Sequence, residues 1–229
     1  MSEEEKLTSI LLTKNVKMNF HTICISKNFY GWIKGLIPEI VACKKCQQNT
    51  PWHIYNVLDH ILVSVEEINK LTAGYDKNIR KFFAYAMFLH DLGKPKTKKT
   101  IDVNGKQIDT FKDHQEESEK IAKRVLPQLG FDDEEIQLMC LLILNHDLFN
   151  KIVKNPTRAD QKQFSRKLIE ELVNDFNKYG NGIDILNDIV LIGIADNMAQ
   201  NPELTAKPLE ILNETRVLLD IMKNGDKQL

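Results

Sequence analysis

The sequence predicts an all-α protein, a compact multi-helix bundle. Apolar residues recur at helical spacing through most of the chain, and the strict apolar–polar alternation of half-buried strands is hard to find anywhere. The composition agrees: of 229 residues, 42% are hydrophobic and 28% charged, which describes a folded globular chain with a real core.

The first clear helix covers residues 29–42, where Phe29, Trp32, Ile33, Leu36, Ile37 and Ile40 share one side and the lysine-rich Cys43 to Cys46 stretch ends it. Thr50-Pro51 has the form of a cap followed by proline at the first helical position. It predicts a helix through about Leu71 with His53, Val57, His60 and Ile61 along one side. Ile79 to Leu92 is apolar on nearly every face, as a central helix must be, and Gly93 and Pro95 terminate it. Residues 95–113 are polar, with Asn104-Gly105 as a turn signal, and read as a mobile loop or a short hairpin.

Asp132 and Glu135 form a capping-box pattern, continued by Ile136, Met139, Cys140, Ile143 and Leu144 into a helix that ends at His146-Asp147. Phe164, Leu168, Leu172 and Phe176 mark another helix, closed by Gly180 and Gly182. Ile185 to Ala199 is apolar almost all round yet contains Asp196, and Pro208 to Met222 forms the last helix. No internal repeat, low-complexity tract or linker interrupts the chain. One domain over 46–229 is expected, preceded by a helical extension over 1–45.

The 31 lysines and arginines nearly cancel 32 aspartates and glutamates. No global field draws such a chain onto nucleic acid or an acidic membrane. The start, Met1 to Lys6, is acidic where a secretory signal is basic and then apolar, and no apolar run is long enough to span a bilayer. A cytoplasmic protein with no membrane partner is expected. Its four cysteines read as reduced thiols. Cys43 and Cys46 have the spacing of half a zinc site, but no second pair completes it, so they mark a helix end.

The informative residues are polar groups in apolar helices: His60, His90, Asp91, His146, Asp147 and Asp196. An unpaired carboxylate in a core costs several kcal/mol or neutralises itself, so buried acids normally have a charged partner or a metal. No arginine is near these positions in sequence. Five of the six histidines fall between residues 53 and 146, several beside an aspartate. A lone histidine near an apolar face is more often a satisfied core residue than a ligand; the set taken together points to a metal, because imidazole and carboxylate suit manganese, iron, nickel, cobalt, magnesium and zinc. Adjacent His90 and Asp91 lie about 100° apart on a helix, but at a helix end they can converge on one ion.

The order His60, then His90-Asp91, then Asp196 in an all-helical chain resembles the HD superfamily of metal-dependent phosphohydrolases. His90-Asp91-Leu92-Gly93-Lys94-Pro95 is similar to its His-Asp-(Ile/Leu)-Gly-Lys form, and Ala195-Asp196-Asn197 to its late aspartate. More narrowly, Cys46-Gln47-Gln48, His53 to His60, Phe111 to Ser118 with His114, and Asn145-His146-Asp147 resemble the HD region of bacterial tRNA nucleotidyltransferases. The chain has no Gly-Gly pair of the nucleotidyltransferase head, so nucleotide addition to tRNA is not expected. Gly93-Lys94 stands where guanosine tetraphosphate hydrolases carry an acidic pair, and the Gly-Tyr-Pro element of the cyclic-di-nucleotide branch is missing.

The resemblance implies that His60, His90, Asp91 and Asp196 hold one divalent ion, with Asp91 bridging to a second ion held by His114 and His146. Asp147 is a further ligand candidate, or a group that orients His146. Asp91, Lys94, His114 and His146 are the implied catalytic set: Lys94 as a phosphate contact, and the two histidines as proton donors to the leaving oxygen where they are not metal-bound. Lys96, Lys98 and Lys99 read as solvated loop charges. His53, on the same predicted face as His60, either contacts the site or simply begins its helix, and His21, Phe29, Tyr30 and Trp32 are assigned to packing. The implied activity is hydrolysis of phosphomonoester or phosphodiester bonds, in a nucleotide, another phosphorylated small molecule or an RNA end. The alternative is a non-catalytic module of the same fold that binds a nucleotide or RNA as a sensor.

Overall fold

The computed structural model describes residues 1–149 and 165–225; Phe164, expected on a helix with Leu168, lies outside them. The helices, in chain order, are α1 (Glu3–Leu11), α2 (Val16–Ile23), α3 (Lys27–Leu36), α4 (Glu39–Lys45), α5 (Val57–Leu71), α6 (Lys77–Leu89) and the single turn α7 (Lys94–Thr97). A hairpin, β1 (Lys99–Val103) and β2 (Lys106–Thr110), precedes α8 (His114–Val125), α9 (Asp133–Asn145), α10 (Arg166–Phe176), α11 (Gly182–Met198) and α12 (Pro202–Gly225). The all-α expectation holds, with that hairpin as the sole sheet among the described residues.

Several boundaries differ from the sequence reading. The run over 29–42 is two helices, because Pro38 has no amide hydrogen to continue α3 and instead caps α4. Thr50-Pro51 opens no helix: residues 50–53 turn back on themselves, with Thr50 N–H donating to Gln48 O. The helix starts at Val57, where the Asn56 side chain accepts from Asp59 N–H. His53 therefore sits on a loop and not on the His60 helix. Residues 99–110 are an antiparallel hairpin whose two-residue turn, Asn104 (φ 55°) and Gly105 (φ 78°), takes the left-handed conformations that match strand twist. The last helix begins at Pro202 and carries Pro208 inside it. The Asp132 and Glu135 capping box forms as expected.

Helix α6 is the hub. Tyr85, Met87, Phe88 and Leu89 are fully buried, and α6 packs against α5, α9, α8 and α1. Fully burying each such side chain stabilises by about 1.5–3 kcal/mol. Helix α11, buried along most of its length, crosses α5, α9, α10 and α12. The first two helices pack on the same body: Leu7, Leu11, Val16 and Phe20 join the common core, Thr8 Oγ1 meets Tyr85 OH at 2.8 Å, and Asn69 Nδ2 donates to Leu11 O. The C-terminal ends of α6, α9 and α11 and the N-terminal ends of α5 and α8 converge, and the polar residues of the core are gathered there. No helix among the described residues is long and apolar enough to cross a membrane.

Candidate metal centre

Each site residue is delivered by a helix end. His60 lies in the first turn of α5, His90 caps the C-terminus of α6 with Asp91 in the following turn, His114 is the first residue of α8, His146 caps the C-terminus of α9, and Asp196 lies in the last turn of α11. Gly93 makes this convergence sterically feasible. A Cβ there would lie 2.4 Å from His114 O and 2.7 Å from Ser118 N, so only glycine lets α8 approach the His-Asp turn. The Gly93 N–H donates to Ser118 Oγ at 2.9 Å and fixes that approach.

The six side chains are buried and form two groups that share Asp91. In the first, His60 Nε2 lies 2.9 Å from Asp196 Oδ1 and 3.2 Å from Asp91 Oδ2, while His90 Nε2 lies 3.3 Å from Asp91 Oδ2 and 3.6 Å from Asp196 Oδ1. In the second, Asp91 Oδ1 faces His114 Nε2 at 3.1 Å and His146 Nε2 at 3.7 Å. The two ring nitrogens of His114 and His146 are themselves 3.3 Å apart. Asp147 belongs to neither group; it accepts from Gln115 Nε2 at 2.5 Å at the edge of the site.

The rings are held in one tautomer. The Nδ1 atoms of His60, His90, His114 and His146 face the backbone carbonyls of Ala199 (3.3 Å), Met87 (2.6 Å), Phe111 (2.7 Å) and Ile143 (2.8 Å). A carbonyl only accepts, so each Nδ1 carries a hydrogen, and a ring in its neutral form turns a bare Nε2 lone pair inward. Those lone pairs meet carboxylate oxygens, which are also acceptors. The His60 and His90 Nε2 atoms and both Asp91 oxygens have no directed hydrogen bond. Acceptors packed against acceptors in a buried pocket need positive charge between them. A divalent cation with nitrogen and oxygen ligands supplies it, and carbonyl-anchored imidazoles are the usual support of such ligands. The residues fit a metal.

The electrostatics show the same demand for positive charge. Burial opposes charge on His90, but the Asp91 and Asp196 carboxylates raise its pKa to about 10, so a proton on this ring is what a cation would replace. Burial would likewise raise the two acids, yet Asp91, beside His90 and Lys94, and Asp196, beside His60 and His90, are both held well below the usual carboxylate range. Both stay ionised, as ligands must. Burial and the neighbouring positive His90 push His146 down to about 4, leaving it neutral and fit to coordinate.

A cleft of about 480 Å³ opens onto the centre, its lining shared between the apolar Trp52, Ile108 and Phe111 and the site residues His114, His146 and Asp196. Lys94 is buried in it. Its Nζ lies 2.6 Å from Asp91 Oδ2, outside hydrogen-bond geometry, and 3.0 Å from Gln48 Oε1 and 2.9 Å from His53 Nε2. His53 reaches the site from its loop by stacking on His60 at 5.0 Å between ring centroids. Burial, then the Lys94 charge, hold His53 well below the ordinary histidine pKa. Lys96 and Lys98 are paired with Glu117 and Asp109 and do not line the cleft. Gln48, Gln115 and Gln200 were not anticipated; neutral amides carry no signal in a single sequence until their partners are seen.

Fold and site together define a helical domain with a buried histidine–aspartate centre whose residues could hold a divalent cation. The chain matches the HD domain family over residues 53–199, more than half its length, and belongs to that family. It is also 26% identical over 191 residues to a bifunctional uridylyltransferase/uridylyl-removing enzyme of Gluconobacter oxydans (strain 621H), a match covering 77% of this chain and 18% of that protein.

Proposed function

We propose that this chain is a divalent-metal-dependent phosphohydrolase acting on phosphomonoester or phosphodiester bonds of nucleotides or nucleic-acid ends. The observation that carries the reading is the inward set of four Nε2 atoms around Asp91 and Asp196, anchored by carbonyls, with His114, His146 and Asp196 lining the cleft. A divalent ion held by His60, His90, Asp91 and Asp196 would supply Lewis-acid stabilisation of phosphate charge and acidify water. The chain's own contribution is orientation and charge. Lys94 holds an ammonium on the cleft wall beside Asp91, where a phosphate oxygen can meet it, and Trp52 and Phe111 form an apolar face against which the rest of a substrate can lie. His114 stands at the cleft-facing side of the second group, within reach of a leaving oxygen.

Family membership supports the reaction class, HD proteins being generally metal-dependent hydrolases, and the name of the Gluconobacter relative includes a uridylyl-removing activity. The narrower likeness to the HD region of tRNA nucleotidyltransferases makes RNA ends one substrate to examine. The test is a screen of mononucleotides, cyclic phosphates and short oligonucleotides with manganese, nickel, cobalt, magnesium and zinc. Metal-dependent release of phosphate or nucleotide is expected, and its loss in a folded Asp91→Ala variant. Tight binding with no turnover across the panel would instead identify a nucleotide or RNA sensor.

A further inference from the structure

The corner that follows α11 touches the centre at two consecutive residues and the cleft loop at a third. Ala199 O accepts from His60 Nδ1 and so sets the tilt of a ring carried by a different helix. Gln200, buried at the cleft wall, donates from Nε2 to Asp196 Oδ2 at 2.9 Å, while the other oxygen of that carboxylate faces His60 at 2.9 Å. Asn201 then ties down the cleft loop, its N–H donating to Trp52 O at 2.8 Å and its Nδ2 to Pro51 O at 3.0 Å. That loop carries His53 onto the His60 ring.

We propose that Gln200 is a positioning residue that holds Asp196 as a one-oxygen ligand and thereby sets the affinity of the first metal position. The inference rests on the metal-centre reading above. A carboxylate whose Oδ2 is engaged by an amide donor can offer only Oδ1 toward His60 and His90. Removing the donor takes away one restraint on rotation of the carboxylate about its χ2, a soft torsion between a tetrahedral and a planar carbon. Rotation takes the oxygen away from the point where the four ligand atoms meet, and groups of this kind carry roughly 10–100-fold in metal affinity. Ala199 acts through its backbone and is insensitive to side-chain replacement, which leaves Gln200 as the residue of the corner whose side chain controls a ligand.

The test uses the full chain with manganese as the probe, binding read by calorimetry and by the electron paramagnetic resonance signal of free manganese. Gln200→Met keeps the volume and removes the donor. It should bind manganese about 10–100-fold more weakly while remaining folded, and in any metal-dependent turnover its deficit should shrink as manganese is raised. Gln200→Ala should show the same weakening, and provides the reading if the methionine variant does not fold. Wild-type affinity in a folded Gln200→Met or Gln200→Ala protein overturns the proposal while leaving the metal centre intact. Failure of the wild-type chain to bind manganese at all overturns both.

Discussion

His60 and Asp196, carried on α5 and α11 at nearly opposite ends of the HD domain, meet through Nε2 and Oδ1 at 2.9 Å with no hydrogen aligned between them. A contact of that kind is repulsive unless a cation shares it. The stability of the fold should therefore depend on metal.

Chelation is the direct check. A ligand that binds only the folded state stabilises it by about 2.7 kcal/mol at one hundred times its Kd. In a chain of this size that corresponds to roughly 5–10 °C in Tm. Scanning calorimetry should show a rise of that order when manganese is added to chelator-treated protein; identical melting with and without metal would count against the centre.

Gly93 gives a second prediction. Gly93→Ala drives a methyl into the backbone of α8, so we expect a loss of about 1–3 kcal/mol from overpacking and reduced metal-dependent turnover as His114 is displaced. Gly31, on α3, has open space within 4 Å of where a methyl would stand. It should respond oppositely, Gly31→Ala gaining about 0.5–1 kcal/mol. Urea midpoints of the two variants moving in the same direction would contradict the packing argument.

Lys94→Met removes the ammonium nearest to Asp91 and strands Gln48 Oε1 and His53 Nε2. Breaking a buried charge pair from one side typically costs about 3–5 kcal/mol. The loss should be largest in metal-free protein and smaller with manganese present, because the ion also compensates Asp91. Arginine, larger and planar, should not substitute for the compact ammonium. Equal destabilisation in both states, read by denaturant titration, would remove the link between Lys94 and the centre.

Asp188 predicts a pH dependence away from the site. Burial, then the nearby Asp184 carboxylate, raise its pKa from 3.8 to about 7. The folded chain therefore binds the proton more tightly than the unfolded one, so this group lowers stability as pH climbs from about 4 to 7, and the cost persists above that. Asp188→Asn should leave stability nearly unchanged at pH 4 and raise it most above pH 7. A gain that did not grow with pH would show the acid to be ordinary.

The site is legible in the sequence because its residues violate their surroundings. His90, Asp91 and Asp196 follow or interrupt runs of buried apolar residues, Phe83 to Leu89 and Ile189 to Ala195, and burial rules alone demand a partner for each. The same logic is silent about Gln48 and Gln200, whose uncharged amides are ordinary at any surface and gain meaning only from Lys94 and Asp196 beside them. A helix start is misplaced where two caps compete. Pro51 offers a favourable first-turn residue, but Asn56 supplies the side-chain acceptor, and the chain takes the later start. The break at Pro38 escapes the pattern because the apolar rhythm of Phe29 to Ile40 continues across it into a second helix that buries the same side.

Asp91 offers one oxygen to His60 and His90 and the other to His114 and His146. The two halves of the centre thus hang from a single hinge pin, with no spare. Shortening, lengthening or neutralising that one side chain dismantles both halves at once, whereas damage to any of the histidines leaves the opposite half standing.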